Sequence, residues 1–323
     1  MKHKLLAVLI LCFGAAGCRA DRPINAGSPP APSTAAAYQD YVVIPDLTNA
    51  VQFRLYTNAS PDSAHLLNTF SIEAYGENLL QSPGGDPLKH WRAASPPIPS
   101  LHCILIDGQG PDLPSTNGMR LIEQASGPDW RYLALDASAA YRGRLKEFRR
   151  AVLFVEPDLF VLYDHIVGTD PVRFQMLLHP PATTRVDDIW RDLRLDLSKA
   201  GLRIQSPGEK HKLRSWERIK SPVDAIFPGT VTVQVGPTNK VMQLDVITVF
   251  AVYRGGEKKD YAFKLLESNT AVGARIHREG LPTLVAFRIN PAAGSASLTG
   301  FGFNGPVGVD VFRPKRKQVA PLQ

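Results

Sequence analysis

The sequence predicts an all-β protein, one large antiparallel β-sandwich, and three observations carry that prediction. Short runs rich in β-branched and aromatic residues recur along the chain, each broken by Gly, Pro, Asn or Asp. One of them, Thr69–Tyr75, alternates with period two. Phe70, Ile72 and Ala74 fall on one face and Ser71, Glu73 and Tyr75 on the other, the pattern of a half-buried strand. No long amphipathic helix competes, and the best helical candidate, Asp188–Ala200, is short. At 323 residues, 44% hydrophobic and 21% charged, the chain is ordinary for a globular protein and long enough to bury a core. No internal repeat stands out.

The elements follow in order. Residues 1–17 read as a leader, with Lys2, His3 and Lys4 as its basic start, Leu5–Phe13 as its apolar middle, and Ala15-Ala16-Gly17 before Cys18. The apolar run is shorter than the ~20 residues that cross a bilayer. A cysteine directly after Ala-Ala-Gly resembles a bacterial lipobox, with Ala15 standing where the commonest form has Leu. The resemblance implies acylation of Cys18, and two or more acyl chains anchor stably where one is marginal. Arg19 follows, not the Asp that resembles an inner-membrane retention signal, so a Gram-negative host would place the protein at the outer membrane. Residues 18–37 are rich in Pro, Ala and Ser and read as a flexible tether.

The domain is expected over residues 38–312. Its candidate strands begin with Tyr41–Ile44, Val51–Tyr56, Thr69–Tyr75, Leu101–Ile106, Leu121–Glu123, Tyr132–Leu135 and Ala151–Val155. They continue with Phe160–Asp164, Phe174–Leu178, Leu202–Gln205, Val231–Val235, Asp245–Tyr253, Tyr261–Leu266 and Thr283–Ile289. Asp107-Gly108-Gln109-Gly110 ends a strand without opening a helix and reads as a turn, not a phosphate loop. Residues 313–323 form a tail with the basic run Arg313-Pro314-Lys315-Arg316-Lys317.

Charge and cysteines narrow the setting. The formal charge is +7, and loss of Lys2 and Lys4 with the leader leaves +5. A modest positive excess suits an anionic partner. Acidic polysaccharide and the membrane surface are expected, and nucleic acid is not. Cys12 leaves with the leader and Cys18 would be acylated, so Cys103 is the one free thiol. The domain then has no internal disulfide and holds together by its core. Cys103, in an apolar run, reads as a small buried hydrophobe.

Four linked segments give the chain a family likeness: LHCILIDGQG (Leu101–Gly110), DASAAY (Asp136–Tyr141), RRAVLFVEPDLFVLYDHI (Arg149–Ile166) and FQMLLHPP (Phe174–Pro181). Together they resemble the C-terminal β-sandwich of the heparinase II/III-like polysaccharide lyases and their alginate-lyase relatives. The likeness covers roughly Val51 to Phe287 and is strongest in the middle third. Members of that family carry an N-terminal helical toroid, which supplies much of the catalytic machinery; here a leader and tether stand before the sandwich. The resemblance implies chemistry in which a Tyr or His base abstracts the proton α to a uronic acid carboxyl while another group neutralises the carboxylate.

At the matched positions that machinery is thin. The family motif, approximately His-Ser-His-Ala-Asp-Gln-Asn-Ser-Phe, aligns with Asp62-Ser63-Ala64-His65-Leu66-Leu67-Asn68-Thr69-Phe70. Asn68-Thr69-Phe70 and the following Ala74-Tyr75-Gly76-Glu77 match, but both histidines are replaced, by Asp62 and Ala64. His65 lies one residue out of phase, which on a strand points a side chain to the opposite face. It stays a candidate base only if a bulge restores it. Some members hold zinc through the second of those histidines, a downstream Asp, and the histidine that opens the strand ending in Asp-Gly. His102 retains the last, whereas the Asp falls on Gln81 or Ser82. One ligand of three is an incomplete set for an ion that takes about four. No cofactor is therefore expected; His102 is the one candidate metal ligand and, with His65, a candidate catalytic residue. Otherwise His102 and His179 read as hydrogen-bonded structural histidines. Tyr141 and Tyr163-Asp164-His165 resemble positions that shape the family's core and cleft rim.

Candidate sugar-binding residues are Lys89 and Arg92 near His90, and Lys212 and Arg214 near Trp216, because an aromatic beside cations can stack on a sugar ring while the cations pair with carboxylate or sulfate. The sequence thus points to a lipid-anchored envelope protein, catalytically degenerate and associated with anionic polysaccharide. The alternatives are a lyase completed by a partner chain that brings the toroid, which would need an exposed apolar face, and a purely structural envelope module.

Overall fold

The computed structural model describes residues 41–45, 50–57, 67–80, 102–112, 118–141, 143–187, 192–206, 213–219, 229, 231–237, 239–257, 261–278, 282–290 and 293–311. Apart from a 3-10 turn at Ser138–Tyr141, every regular element among them is a strand. β1 (Tyr41–Ile44), β2 (Val51–Tyr56), β3 (Phe70–Ala74) and β4 (Glu77–Leu80) form an antiparallel meander. β5 (Ile104–Ile106) leaves it for a second sheet. β6 (Arg120–Gly127), β7 (Trp130–Asp136), β8 (Leu145–Val155) and β9 (Leu159–Val172) are successive neighbours in the central sheet, and β10 (Phe174–Leu178) returns to pair with β5.

The central sheet grows through β11 (Arg185–Asp187), β12 (Asp192–Asp196) and β13 (Ala200–Gln205). β14 (Leu213–Ile219) and β15 (Thr232–Pro237) then complete the second sheet, and β16 (Val241–Arg254) joins β13 to β9. The central sheet reads β11-β12-β13-β16-β9-β8-β7-β6 and the second sheet β14-β15-β10-β5. β17 (Ala262–Glu267), β18 (Ala271–His277) and β19 (Thr283–Arg288) begin a third, which β22 (Val307–Val311) closes after the short hairpin of β20 (Ala296–Leu298) and β21 (Phe301–Phe303).

The long central strands explain the layering. Ala151–Val155 of β8, Leu159–Tyr163 of β9 and Val249–Tyr253 of β16 are apolar and buried at every position, so each face of the sheet needs its own cover. Phe148, Val152, Phe154, Phe160, Leu162, Phe250 and Val252 pack into one core with the meander and the second sheet. Ala151, Leu153, Val155, Val161, Tyr163, Val249 and Ala251 pack into another with Val272, Val285 and Phe287 of the third. The molecule is therefore two sandwiches sharing one sheet, with side chains alternating between them. The first core is rich in rings: Phe53 lies 5.1 Å from Phe70, 5.6 Å from Phe160 and 5.9 Å from Phe250.

β3 keeps the alternation expected of it, with Phe70, Ile72 and Ala74 in the first core. Asp107-Gly108 is a two-residue hairpin loop in which Ile106 and Gln109 exchange backbone hydrogen bonds. Both loop residues have positive φ (+51° and +79°), as a type I′ turn requires. The helix expected over Asp188–Ala200 is corrected: Asp192–Asp196 is strand β12 and Ala200 opens β13. Leu193 and Leu195 face the first core while Asp192, Arg194 and Asp196 face away, a period of two that pairing with β13 enforces. The expected strand from Leu101 starts at Ile104, because His102 has φ +49°. β4, β11, β14, β18, β20, β21 and β22 were not anticipated. Cys103 is a buried free thiol, and burial pushes its pKa up to about 12.

Candidate functional site

Two strand segments place polar side chains inside this apolar frame, Arg149-Arg150 on β8 and Tyr163-Asp164-His165 on β9. Neighbouring residues on a strand face opposite ways, so each segment is split between the two cores. Arg149 is opposite His165 and Arg150 opposite Asp164. Two clusters result, one on each face of the central sheet.

The inner cluster lies on the meander side. Arg150, fully buried, donates from Nε and Nη2 to the two carboxylate oxygens of Asp164 at 2.7 and 2.9 Å. Its Nη1 donates to the Asn68 carbonyl at 2.8 Å. Its guanidinium lies over the rings of Phe148 and Phe70, at 5.4 and 5.9 Å. Asn68, at φ +62°, donates from its side chain to the Tyr141 hydroxyl, which in turn donates to the Ile104 carbonyl at 2.9 Å. Burial holds the Tyr141 hydroxyl far above the ordinary phenol pKa. Thus Asn68-Thr69-Phe70, DASAAY, RRAVLF and LYDHI meet at one buried ion pair.

His102 and His179 belong to the same wall. Each is fully buried, and each Nδ1 accepts the other's backbone N–H, at 3.2 Å for His179 N–H and 3.5 Å for His102 N–H. An accepting Nδ1 carries no proton, which fixes both neutral rings as the Nε2–H tautomer. His102 also lies 5.5 Å from the Phe70 ring. Among the described residues the imidazole beside His102 is that of His179, tied to the backbone in the same way, and no three His, Cys, Asp or Glu side chains gather to hold a metal.

The outer cluster lies on the third-sheet side and reaches solvent. Asp245 of β16, opposite His165, receives the Tyr163 hydroxyl at 2.8 Å and faces His165 Nδ1 at 2.7 Å. Glu147 lies 3.9 Å from His165 Nε2. Arg149 donates to Glu123 and to the Tyr132 hydroxyl, each at 2.9 Å. The side chains of His165, Asp245 and Glu147 are 11%, 17% and 50% exposed. Burial alone would lower the His165 pKa, but the hydrogen bond and charge of Asp245, with Glu147 behind, outweigh it and raise it. Burial pushes Tyr132 up to about 12, and burial with the Asp245 charge pushes Tyr163 well above the ordinary phenol value. The cluster therefore presents an imidazole biased toward its charged form, with the Tyr163 hydroxyl given to Asp245 and Arg149 to Glu123. That suits giving a proton; abstraction of a carbon-bound proton needs the opposite bias.

This balance has a testable sign. His165 has a raised pKa in the folded state, so its stabilising contribution is complete below the unfolded value of about 6.5 and disappears as pH rises through the folded pKa. A proton NMR titration is expected to give His165 a midpoint above that value, and Asp245→Asn should lower it. A midpoint unchanged by Asp245→Asn would refute the assignment.

Sequence reasoning missed the His165–Asp245 pair. Eighty residues separate its members, and only the β9–β16 register brings them together. Cys18, His65, Lys89, Arg92 and Lys212 lie outside the described residues, as do Gln81 and Ser82. Arg214 and Trp216 fall on β14, where Trp216 is opposite Val235.

No protein-family model and no curated protein sequence matches this chain. Solved structures do. A heparan sulfate lyase HepC mutant from Pedobacter heparinus superposes with a TM-score of 0.57 at 15% identity, over 78% of this chain and 42% of that one. A heparinase III structure gives 0.55 at 17% identity, over 74% and 40%. A second heparinase III gives 0.53 at 12% identity, over 78% and 43%. The fold is heparinase-like. The chain spans about two-fifths of the length of the lyases it matches, and at these identities the likeness concerns fold alone.

Proposed function

We propose that this chain is a membrane-tethered, heparinase-like β-sandwich lipoprotein that associates with anionic, uronic-acid polysaccharide in the cell envelope without cleaving it. One observation carries the reading. His102, the histidine that the family likeness would make a ligand or catalyst, is fully buried with its Nδ1 taken by a backbone N–H, out of reach of a polymer. The lyases' names supply the substrate class, and the positive excess of the chain is in keeping with it. The acyl anchor on Cys18 and the outer-membrane, periplasm-facing or surface placement belong to the same reading, as does the Pro-rich tether that would lift the domain off the lipid.

The test is β-elimination itself. The full chain, incubated with a panel of uronic-acid polysaccharides with and without zinc, is expected to give no ultraviolet absorbance from an unsaturated product while still retaining polymer in a pull-down. A rise in absorbance that His102→Ala abolishes would overturn the non-catalytic reading.

A further inference from the structure

The far edge of the central sheet carries a feature that the two clusters leave unused. On β11, β12 and β13, Val186, Leu193, Leu195, Leu202 and Ile204 turn to the first core, so the intervening residues share the opposite face. There Arg185 is directly opposite Arg194, and Arg194 directly opposite Arg203. In the next row Asp187, Asp192 and Gln205 are opposite one another. These six side chains line a groove of about 450 Å³.

Three guanidiniums in one cross-strand row repel one another, since directly opposed like charges destabilise a sheet. The arrangement shows how two of them are held. Asp192, with its side chain 4% exposed, accepts from Arg203 Nε at 2.9 and 3.0 Å and from Arg194 Nε at 3.0 Å. Arg203 is further fixed by the Tyr261 carbonyl and by stacking over Phe263 at 5.7 Å. A buried carboxylate thus fixes two arginines side by side, and exposed Arg185 adds a third charge to the row. Edge strands commonly carry charge to block pairing with other chains. That accounts for Arg185 but not for Arg203, two strands in and only 12% exposed.

We propose that this groove is a docking subsite for the carboxylate or sulfate groups of an acidic saccharide. Arg185 and Arg194 engage the anion in bidentate fashion, and Arg203, oriented by Asp192, sets the floor. The site rests on the proposed association with uronic-acid polysaccharide and locates it on the sandwich.

The test titrates the full chain with three oligosaccharides of equal length, one bearing carboxylates only, one sulfated and one neutral. Arg185→Gln/Arg194→Gln alters two exposed residues and leaves the Arg203–Asp192 pair intact. Lys264→Gln/Arg275→Gln makes the same charge change on exposed, paired positions of the third sheet. Each charge-assisted hydrogen bond contributes about 1.5–3 kcal/mol, so the groove variant should bind the acidic sugars about tenfold or more weakly, with its melting temperature kept. The control variant should lose far less. Equal losses in both variants, or none in the groove variant, would overturn the groove and leave the polysaccharide reading standing. Failure of the unmodified chain to bind either acidic sugar would overturn both. The better of the two acidic ligands identifies whether carboxylate or sulfate is the anion read.

Discussion

Replacing Arg150 with Leu is expected to destabilise the protein by about 3–5 kcal/mol, the range for breaking a buried ion pair by removing one partner. The side chains of Arg150 and Asp164 are 0% and 1% exposed, so without the guanidinium the carboxylate has no water to turn to. The Asn68 carbonyl loses a donor in the same step. That carbonyl belongs to a residue at φ +62°, where the chain bends into β3, so the loss also loosens the entry to the meander. Urea unfolding followed by tryptophan fluorescence would measure the effect. The double variant Arg150→Leu/Asp164→Leu should cost clearly less than the two single changes added together, because the orphaned charge is removed with its partner. Additive losses would show that the two residues act independently and that the bidentate geometry contributes little.

Much of this network was legible as segments and illegible as contacts. Asn68-Thr69-Phe70, DASAAY, RRAVLF and LYDHI were the motifs that carried the family likeness, and they are the segments that converge on Arg150. Their convergence depends on long-range pairing, such as Arg150 with Asn68 across 82 residues, which no local pattern encodes. The sandwich itself was visible in the alternation of β3. The shared central sheet was not, since a continuously apolar strand such as LFVLY shows that both faces are covered without showing by what. Asp188–Ala200 failed for a related reason. Its charged residues interrupt the leucines often enough to admit a helical reading, and only pairing with β13 settles the period at two. The Arg185, Arg194 and Arg203 row is the strongest case: the three are scattered in sequence and adjacent only through two hairpin registers.

Phe287→Ala should have an effect of comparable size, about 3–5 kcal/mol, and it examines the other face of the same sheet. Phe287 of β19 is fully buried and stacks on Tyr163 at 5.0 Å, with Tyr132 at 6.4 Å. It is thus the ring that joins the third sheet to the two tyrosines of the outer cluster. Truncation removes its transfer free energy and leaves a cavity that the β19 backbone, hydrogen-bonded on both sides to β18 and β22, is poorly able to fill. If the two sandwiches form one cooperative unit through their shared sheet, thermal unfolding of the variant should remain a single transition at lower temperature. Trp130, which packs against the second core, should then report the same midpoint as far-ultraviolet circular dichroism. Two separated transitions would show instead that the third sheet melts by itself, and the shared-sheet account of the fold would fail. The His165 titration gives an independent reading. Water admitted beside Tyr163 would weaken the burial that lowers the imidazole pKa, but it would also screen the Asp245 charge that raises it. Because burial is the largest single influence but Asp245 and Glu147 together outweigh it in the intact protein, relaxing both leaves a smaller net rise, and the midpoint in Phe287→Ala is expected to move down toward the ordinary histidine value.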